Sequence, residues 1–434
     1  MTFCVKNIGK IAKACISLDG ITVVVGPNGS GKSTISRALM TWFATLRRMP
    51  DVLVDERIKS AREAVDTVLK ANGLSPIGLS FGETQTEQMK LLKPEVWLNV
   101  EEVSRFLGDL PEYFFDGRDA KKDAQRIVAL KGDIVSALED VSSRDSAFYI
   151  PAIIESFFAT ALDKEYMPRG LGNEDGEVSV ALDGGESAYV RFNEGKTGDC
   201  KIVPSELVPL TFYFEPIHLL DFYAQNLQSN GRRFRLSAAS RYNALDADWR
   251  NFLYDDVETS SWSVERKKRQ AEIDATLDDL LSVMRGHLKQ QDRELRFMDR
   301  DAKQSISVMN IASGVKTMSV IEKGIRAGVI QPTSMLIIDE PESNLHPQWQ
   351  VAFAQFLVKL NSKFGIRLLL NTHSPFFLKA IEVFSREEGK SATTHYYHME
   401  REQNGKCFVS KELAQGTNEI FKAYFDVMND LMSR

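Results

Sequence analysis

The chain has 434 residues, 43% of them hydrophobic and 26% charged. That balance excludes a disordered or fibrous polymer, and the length allows about three domains. A net charge of −6 and a pI near 5.7 exclude a global attraction to nucleic acid or an anionic membrane, which leaves only local basic patches for such contacts.

Lys6 and Lys10 interrupt the start before a signal-like apolar stretch forms, and no run nears the roughly 18 apolar residues of a membrane helix. Cys4, Cys15, Cys200 and Cys407 lack metal-type spacing and read as free thiols of a reducing cytosol. The expectation is a soluble cytoplasmic protein.

In chain order, residues 2–6 and 15–25 read as short strands, the second ending in the β-branched run "ITVVV". "GPNGSGKST" follows, then an amphipathic helix to about Leu46. Residues 50–165 look helical and charged, with breaks near Gly73, Pro94 and Pro111. Residues 177–192 alternate apolar and polar around Asp183-Gly184-Gly185, a hairpin signal, and 208–216 reads as another strand. Residues 262–291 predict one long helix with a stripe at Ile273, Leu277, Leu280, Leu281, Met284 and Leu288, far short of a long coiled-coil arm.

From about Glu294, strands and helices alternate. The pattern predicts strands at 336–339 and 367–371, helices at 347–362 and 375–385, paired strands at 394–399 and 406–410, and a closing helix at 417–432. Such alternation implies an α/β fold with a mainly parallel sheet and helices on both faces. The core is expected over 1–46 and 294–434, with an inserted helical and antiparallel lobe over 47–293.

Gly26-Pro27-Asn28-Gly29-Ser30-Gly31-Lys32-Ser33 fits G-x-x-x-x-G-K-[ST] and is followed by Thr34. A β-branched strand precedes it and a helix follows, the context in which backbone N–H groups cradle phosphates. Lys32 then reaches the β- and γ-phosphates and the Ser33 hydroxyl ligates Mg²⁺. A chance glycine-rich turn is the bland alternative, and it does not explain both flanks.

The run "SMLIIDEPESNLHPQW" carries a buried strand straight into Asp339 and Glu340. Two adjacent buried carboxylates are costly unless something positive faces them. A metal–triphosphate on the P-loop supplies that charge: Asp339 binds Mg²⁺ through its shell, and Glu340 orients and deprotonates the attacking water. The competing reading is an acidic turn capping the helix at 347. In "LLLNTHSP", His373 follows the next oily strand, where an imidazole can meet the γ-phosphate or the water; a satisfied core histidine is the alternative. Ser313 opens a helix after "NIA", as an ordinary N-cap or as a phosphate contact, and both put it at a helix N-terminus.

In this order the four motifs resemble the ABC-type ATPase family, nearest its stand-alone heads related to SMC, RecF and OLD proteins. The resemblance covers about 1–46 and 300–434. It implies a P-loop NTPase fold, ATP and Mg²⁺ as ligands, Gly26–Ser33 as the Walker A loop and Asp339 and Glu340 as the end of Walker B. It further implies a D-loop at Ser343–His346, His373 as the switch histidine, and 310–317 as the signature motif. Ser313 and Gly314 would then close over ATP held by another copy, in a head-to-tail pair. Two departures stand out: Ala312 and Val315 occupy the family's usual serine and acid, and no residue is assigned to the Q-loop glutamine.

"LTFYFEPIHLLDF" and the ending "HYYHMEREQNGKCFVSKEL" also resemble the ATPases of anti-phage defence systems such as Septu, PARIS and retron-associated operons. That resemblance implies a sensor or scaffold ATPase controlling a separate nuclease or toxin. A RecF- or SMC-like ATPase acting on DNA and an ATP-binding scaffold with little turnover are the other readings. After His373 the chain predicts only a hairpin and a helix, where OLD nucleases carry an acidic metal-binding domain, so cleavage would fall to a partner. The charged segment at about 50–140 is the expected docking surface. His395 and His398, three apart on a strand, face opposite ways and suggest no metal. The clusters Arg232–Arg235 and Arg266–Arg269 read as solvated surface, with a nucleic-acid backbone as the alternative contact.

Overall fold

The computed structural model describes residues 1–73, 120–162, 175–193, 196–215, 264–280, 286–291, 294–299, 305–307, 310–402, 405–413 and 417–433. The breaks expected near Pro94 and Pro111, the Arg232–Arg235 cluster and the part of "LTFYFEPIHLLDF" beyond Glu215 lie outside these residues.

The elements, in chain order, are β1 (Thr2–Ile8), β2 (Ile11–Ser17), β3 (Ile21–Val25), α1 (Lys32–Ala71), α2 (Ala120–Ser143), α3 (Ser146–Ala161), β4 (Gly176–Ala181), β5 (Ser187–Asn193), β6 (Lys196–Lys201) and β7 (Thr211–Phe214). There follow α4 (Val264–Leu280), β8 (Gly286–Gln291), β9 (Glu294–Asp299), β10 (Ser305–Ser307), α5 (Ser313–Arg326), β11 (Met335–Asp339) and α6 (Pro347–Phe364). The chain closes with β12 (Arg367–Thr372), α7 (Pro375–Glu387), β13 (Thr394–Arg401), β14 (Phe408–Glu412) and α8 (Asn418–Met432).

Among the described residues, eleven strands form one sheet in the order β6-β5-β4-β1-β2-β14-β13-β3-β12-β11-β7. From β13 to β7 all neighbours are parallel. Here β3 and β11 are buried at every position, as continuous aliphatic runs must be when both faces are covered. The rest of the sheet is mixed: β6, β5, β4, β1 and β2 run antiparallel in succession, while β14 pairs parallel with β2 and antiparallel with β13. The sheet is thus less parallel than its helix–strand alternation predicts, because hairpins build one half of it. Four of its strands, β4–β7, come from the segment expected as an inserted lobe.

Two further expectations are corrected. The helix predicted over 262–291 ends at Leu280, and a three-stranded antiparallel sheet, β8–β9–β10, takes up the chain from Gly286. Leu288 lies opposite Phe297 in that hairpin rather than on a helical stripe; the pattern of one segment fits period 3.6 and period 2 alike. Cys4 and Cys15, read as free thiols, form a disulfide, while Cys200 and Cys407 are free. The β1–β2 register sets the pair face to face, which sequence spacing does not show, and it removes the cysteine argument for a reducing compartment.

Residues 1–47 with 155–434 make one compact unit, and 48–154 a second. In the first, Phe353, Leu357 and Leu360 of α6 and Phe377 and Ile381 of α7 pack with Leu336, Ile338, Leu368 and Leu370 of the parallel strands. In the second, Ile58, Ala61, Val65 and Leu69 of α1 pack with Leu130, Ile134, Leu138 and Val141 of α2. Spacings of three and four give each helix one apolar stripe. The expectation that α1 stops near Leu46 fails because the helix continues through Pro50, with Trp42, Phe43 and Leu46 buried before it and Ile58 and Val65 after it. Packing on both sides outweighs the one ladder hydrogen bond a proline removes. No helix among the described residues is long and apolar enough to cross a membrane.

Candidate nucleotide site

Parallel register places the site. Val25 lies level with Thr372, and Asp339 with Asn371, so β3, β11 and β12 end at one edge of the sheet. Ligands of open α/β sheets bind at that carboxyl edge.

After β3 the chain turns through residues 26–31 into α1. Gly31 has φ +93°, and a Cβ there would stand 2.8 Å from Ile11 Cγ1, so the loop needs glycine for its conformation and for its approach to β2. The helix starts at once, with Ile35 N–H donating to Gly31 O at 3.0 Å. Lys32 is 5% exposed, and its Nζ donates to the carbonyls of Gly26 and Pro27, both at 2.9 Å. Burial pushes its ammonium down to about 8, against the upward pull of Glu340, Asp339 and Glu342.

Asp339 is buried at the tip of β11. Tyr213 O–H donates to its Oδ2 at 2.8 Å, Asn371 Nδ2 donates to its Oδ1, and the Ser33 hydroxyl also bonds it. Burial raises its carboxyl above the usual range, and these hydrogen bonds oppose that rise. Asn371 Nδ2 also reaches Ser36 Oγ at 2.8 Å, tying β12 to α1.

Glu340 sits in the left-handed region, φ +48°, with its N–H on Asn371 O at 2.8 Å. Such a conformation in a non-glycine residue is held by its surroundings. Ser343 Oγ donates to Glu340 Oε2 at 3.1 Å, and His373 Nε2 lies 3.6 Å from Oε1. Burial, then the Lys32 charge, lowers the His373 pKa, while Glu340 pulls it up.

These groups surround a cavity of about 360 Å³, lined by residues 28–34, Lys10, Arg37, Glu340, Asn371 and His373. Ser30 Oγ and Asn371 Oδ1 are buried with no hydrogen-bond partner among the described residues. A cationic Lys32 and loop amides suit a phosphate chain. The Ser33 hydroxyl beside the Asp339 carboxylate is the oxygen pair a hard divalent cation takes. The donor set therefore fits a nucleotide with Mg²⁺.

Of the residues picked from the sequence, Asn28–Thr34, Glu340 and His373 meet at this cavity, with Asp339 just behind it. Gly314 is not among the described residues that line it, and the Ser313 side chain lies outside what is described. They begin α5 behind Ala312, which makes no side-chain cap. A Cβ on Gly314 would meet Leu345 Cγ at 2.7 Å, so the helix start is pressed onto the segment expected as a D-loop. Sequence reading missed four groups. Lys10 comes from the β1–β2 turn. Arg37, one turn past Ser33, has its Nε on Glu215 Oε1 at 3.0 Å. Tyr213 and Asn371 flank Asp339 from neighbouring strands. Only "LLLN", ending level with Asp339, carried a usable signal.

Residues 327–379 match the family described as "AAA domain, putative AbiEii toxin, Type IV TA system". Nothing among the curated proteins matches the chain. Among solved structures, the chain is similar to an SMC head domain from Thermotoga maritima, at 10% identity and TM-score 0.39, covering 95% of this chain and 98% of that one. It is similar to an SmcHead bound to the C-winged helix domain of ScpA, at 13% identity and TM-score 0.40, with the same coverages. It is also similar to the Smc head domain with an extended coiled coil bound to the C-terminal domain of ScpA derived from Pyrococcus furiosus, at 11% and 0.38, with 98% of each chain covered. These likenesses are too distant to carry a residue's role. The P-loop entering α1, the paired acids at the tip of β11 and the histidine after β12 thus stand at one edge of an α/β sheet, the arrangement of a P-loop nucleotide site, and the segment 327–379 that carries the acids and the histidine is similar to that AAA family.

Proposed function

We propose that the chain hydrolyses ATP to ADP and phosphate with Mg²⁺, as the sensor or scaffold ATPase of a cytoplasmic anti-phage defence complex that controls a separate nuclease or toxin. One observation carries the chemistry: a single cavity gathers the P-loop, Glu340 and His373 from opposite ends of the chain.

In this reading Lys32 and the backbone amides of 28–34 hold the β- and γ-phosphates. Ser33 and Asp339 hold Mg²⁺, which when bound offsets the phosphate charge. Glu340 accepts the proton of a water that attacks the γ-phosphorus in line; the bond to the β-bridging oxygen breaks and ADP leaves. Lys32 and the loop amides stabilise the charge that develops. His373, favoured neutral by its burial, offers a hydrogen bond at the γ-phosphate. Ser313 and Gly314 are assigned to the nucleotide of a second copy in a head-to-tail pair.

The defence role is supported by the matched family's description, which names a toxin of a toxin–antitoxin system, and by the segments that resemble defence ATPases. The charged helical unit 48–154 is the proposed docking surface for an effector. In sequence, the inserted stretch is proposed to run from about 47 to 293, with its strands β4–β7 joining the core sheet. A slow-turnover scaffold is the second reading, favoured by Ala312 and Val315 in the signature segment.

Steady-state ATP hydrolysis by the purified chain, with and without Mg²⁺, tests the activity. Co-expression with neighbouring genes tests the role: a stable complex whose effector is dispensable for ATP turnover supports it. A full cellular effect from this chain alone would replace it with a direct, DNA-acting ATPase.

A further inference from the structure

Glu342 reaches from the turn after β11 to the turn after β12. Its Oε1 accepts the N–H of His373 at 2.6 Å and of Ser374 at 3.0 Å. Ser374 is the N-cap of α7, its Oγ accepting from Phe377 N at 3.3 Å and donating to Gln350 Oε1 at 2.5 Å. The turn that carries His373 is therefore fastened at successive backbone amides.

The fastening is costly. Burial raises the Glu342 carboxyl above the usual range, and hydrogen bonds from the His373 and Ser374 amides and the Thr372 side chain oppose that rise. The serine cap satisfies the Phe377 N–H, and the carboxylate takes the His373 and Ser374 amides that precede it. What the carboxylate adds is a bond between two strand tips. It shares a tight turn with Glu340, whose Oε2 accepts from Ser343 and whose Oε1 lies 3.6 Å from His373 Nε2. Glu342 itself does not line the cavity, so it touches no substrate.

We propose that Glu342 is a positioning residue, which sets the His373 imidazole against Glu340 and the phosphate cavity by clamping the His373 and Ser374 amides. This rests on the ATP-hydrolysis reading. Through the clamp, movement of the acidic turn carries the histidine with it.

The test compares the full-length parent with Glu342→Ala and Glu342→Gln. Misplacing a catalytic group by about 1 Å costs on the order of 100-fold, so Glu342→Ala should lower kcat by roughly 10- to 100-fold. Its KM for ATP should stay within about twofold, since the P-loop contacts are untouched. Glu342→Gln keeps an oxygen acceptor for both amides and should restore kcat to within about threefold of the parent. Hydrogen exchange over residues 371–377, measured without nucleotide, should quicken in the alanine variant and stay parental in the glutamine one. Parental kcat in Glu342→Ala, or a glutamine variant as slow as the alanine one, overturns the proposal. If the parent does not hydrolyse ATP, the ATPase reading fails, while exchange over 371–377 still reports whether the clamp exists.

Discussion

His373 Nε2 stands 3.6 Å from Glu340 Oε1, across the tips of two adjacent parallel strands. Neither residue is placed by its own neighbours in sequence alone. Glu340 is turned by a left-handed backbone pinned to Asn371 O, and His373 follows β12 out of the sheet at the same level. Glu340 and His373 are thus brought together by sheet register.

Lys32→Ala should weaken ATP binding by roughly 10- to 100-fold or more, the loss expected when a charge-assisted contact to phosphate is removed. Fluorescent-nucleotide titration of parent and variant measures it. Equal affinities would mean that the phosphates lie elsewhere.

The Lys32 ammonium sits near 8 before nucleotide arrives, because burial disfavours its charge. Bound phosphate favours the charged form and raises that value. The bound state therefore holds more protons between about pH 8 and the ordinary lysine range, and affinity must fall as pH rises through that window. In metal-free buffer, calorimetry at pH 9 in buffers of different ionisation enthalpy should detect proton uptake on ATP binding. No uptake, with flat affinity from pH 7 to pH 9.5, would contradict it.

Tyr213→Phe removes the donor that holds Asp339 Oδ2. Second partners of metal ligands are worth about 10- to 100-fold in metal affinity. The Mg²⁺ concentration giving half-maximal ATPase should rise by that order, while kcat at saturating Mg²⁺ changes little. An unchanged Mg²⁺ dependence would remove Tyr213 from the site.

Gly31→Ala places a Cβ 2.8 Å from Ile11 Cγ1 in a backbone at φ +93°. Strain of this kind costs about 1–3 kcal/mol, so the melting temperature should fall and nucleotide affinity with it. A variant that melts with the parent and binds ATP normally would show that the loop accepts a side chain.

Much of the site was legible because its chemistry is local. The loop 26–34, the pair at 339–340 and His373 each sit at the end of an oily run, where one short window holds both strand and reactive group. The supporting groups were not legible, because they depend on which strands are neighbours. Tyr213 reaches Asp339 only because β7 lies beside β11, and Asn371 because β12 does. The same lack of register hid the pairing of Cys4 with Cys15 and the membership of β4–β7 in the large sheet. In 264–299, one apolar spacing served helix and hairpin alike, and only Gly286 hinted at the change.

The central claim is that Glu340 activates the water while Lys32 and the P-loop hold the nucleotide. Single-turnover hydrolysis of radiolabelled ATP by the parent and by Glu340→Gln, with ATP affinity measured on the same samples, tests it most directly. The account predicts ATP binding within about threefold of the parent and a chemical step slowed by at least about 100-fold, the range expected for loss of a general base. Hydrolysis by Glu340→Gln at the parental rate would contradict it and move the base to another group.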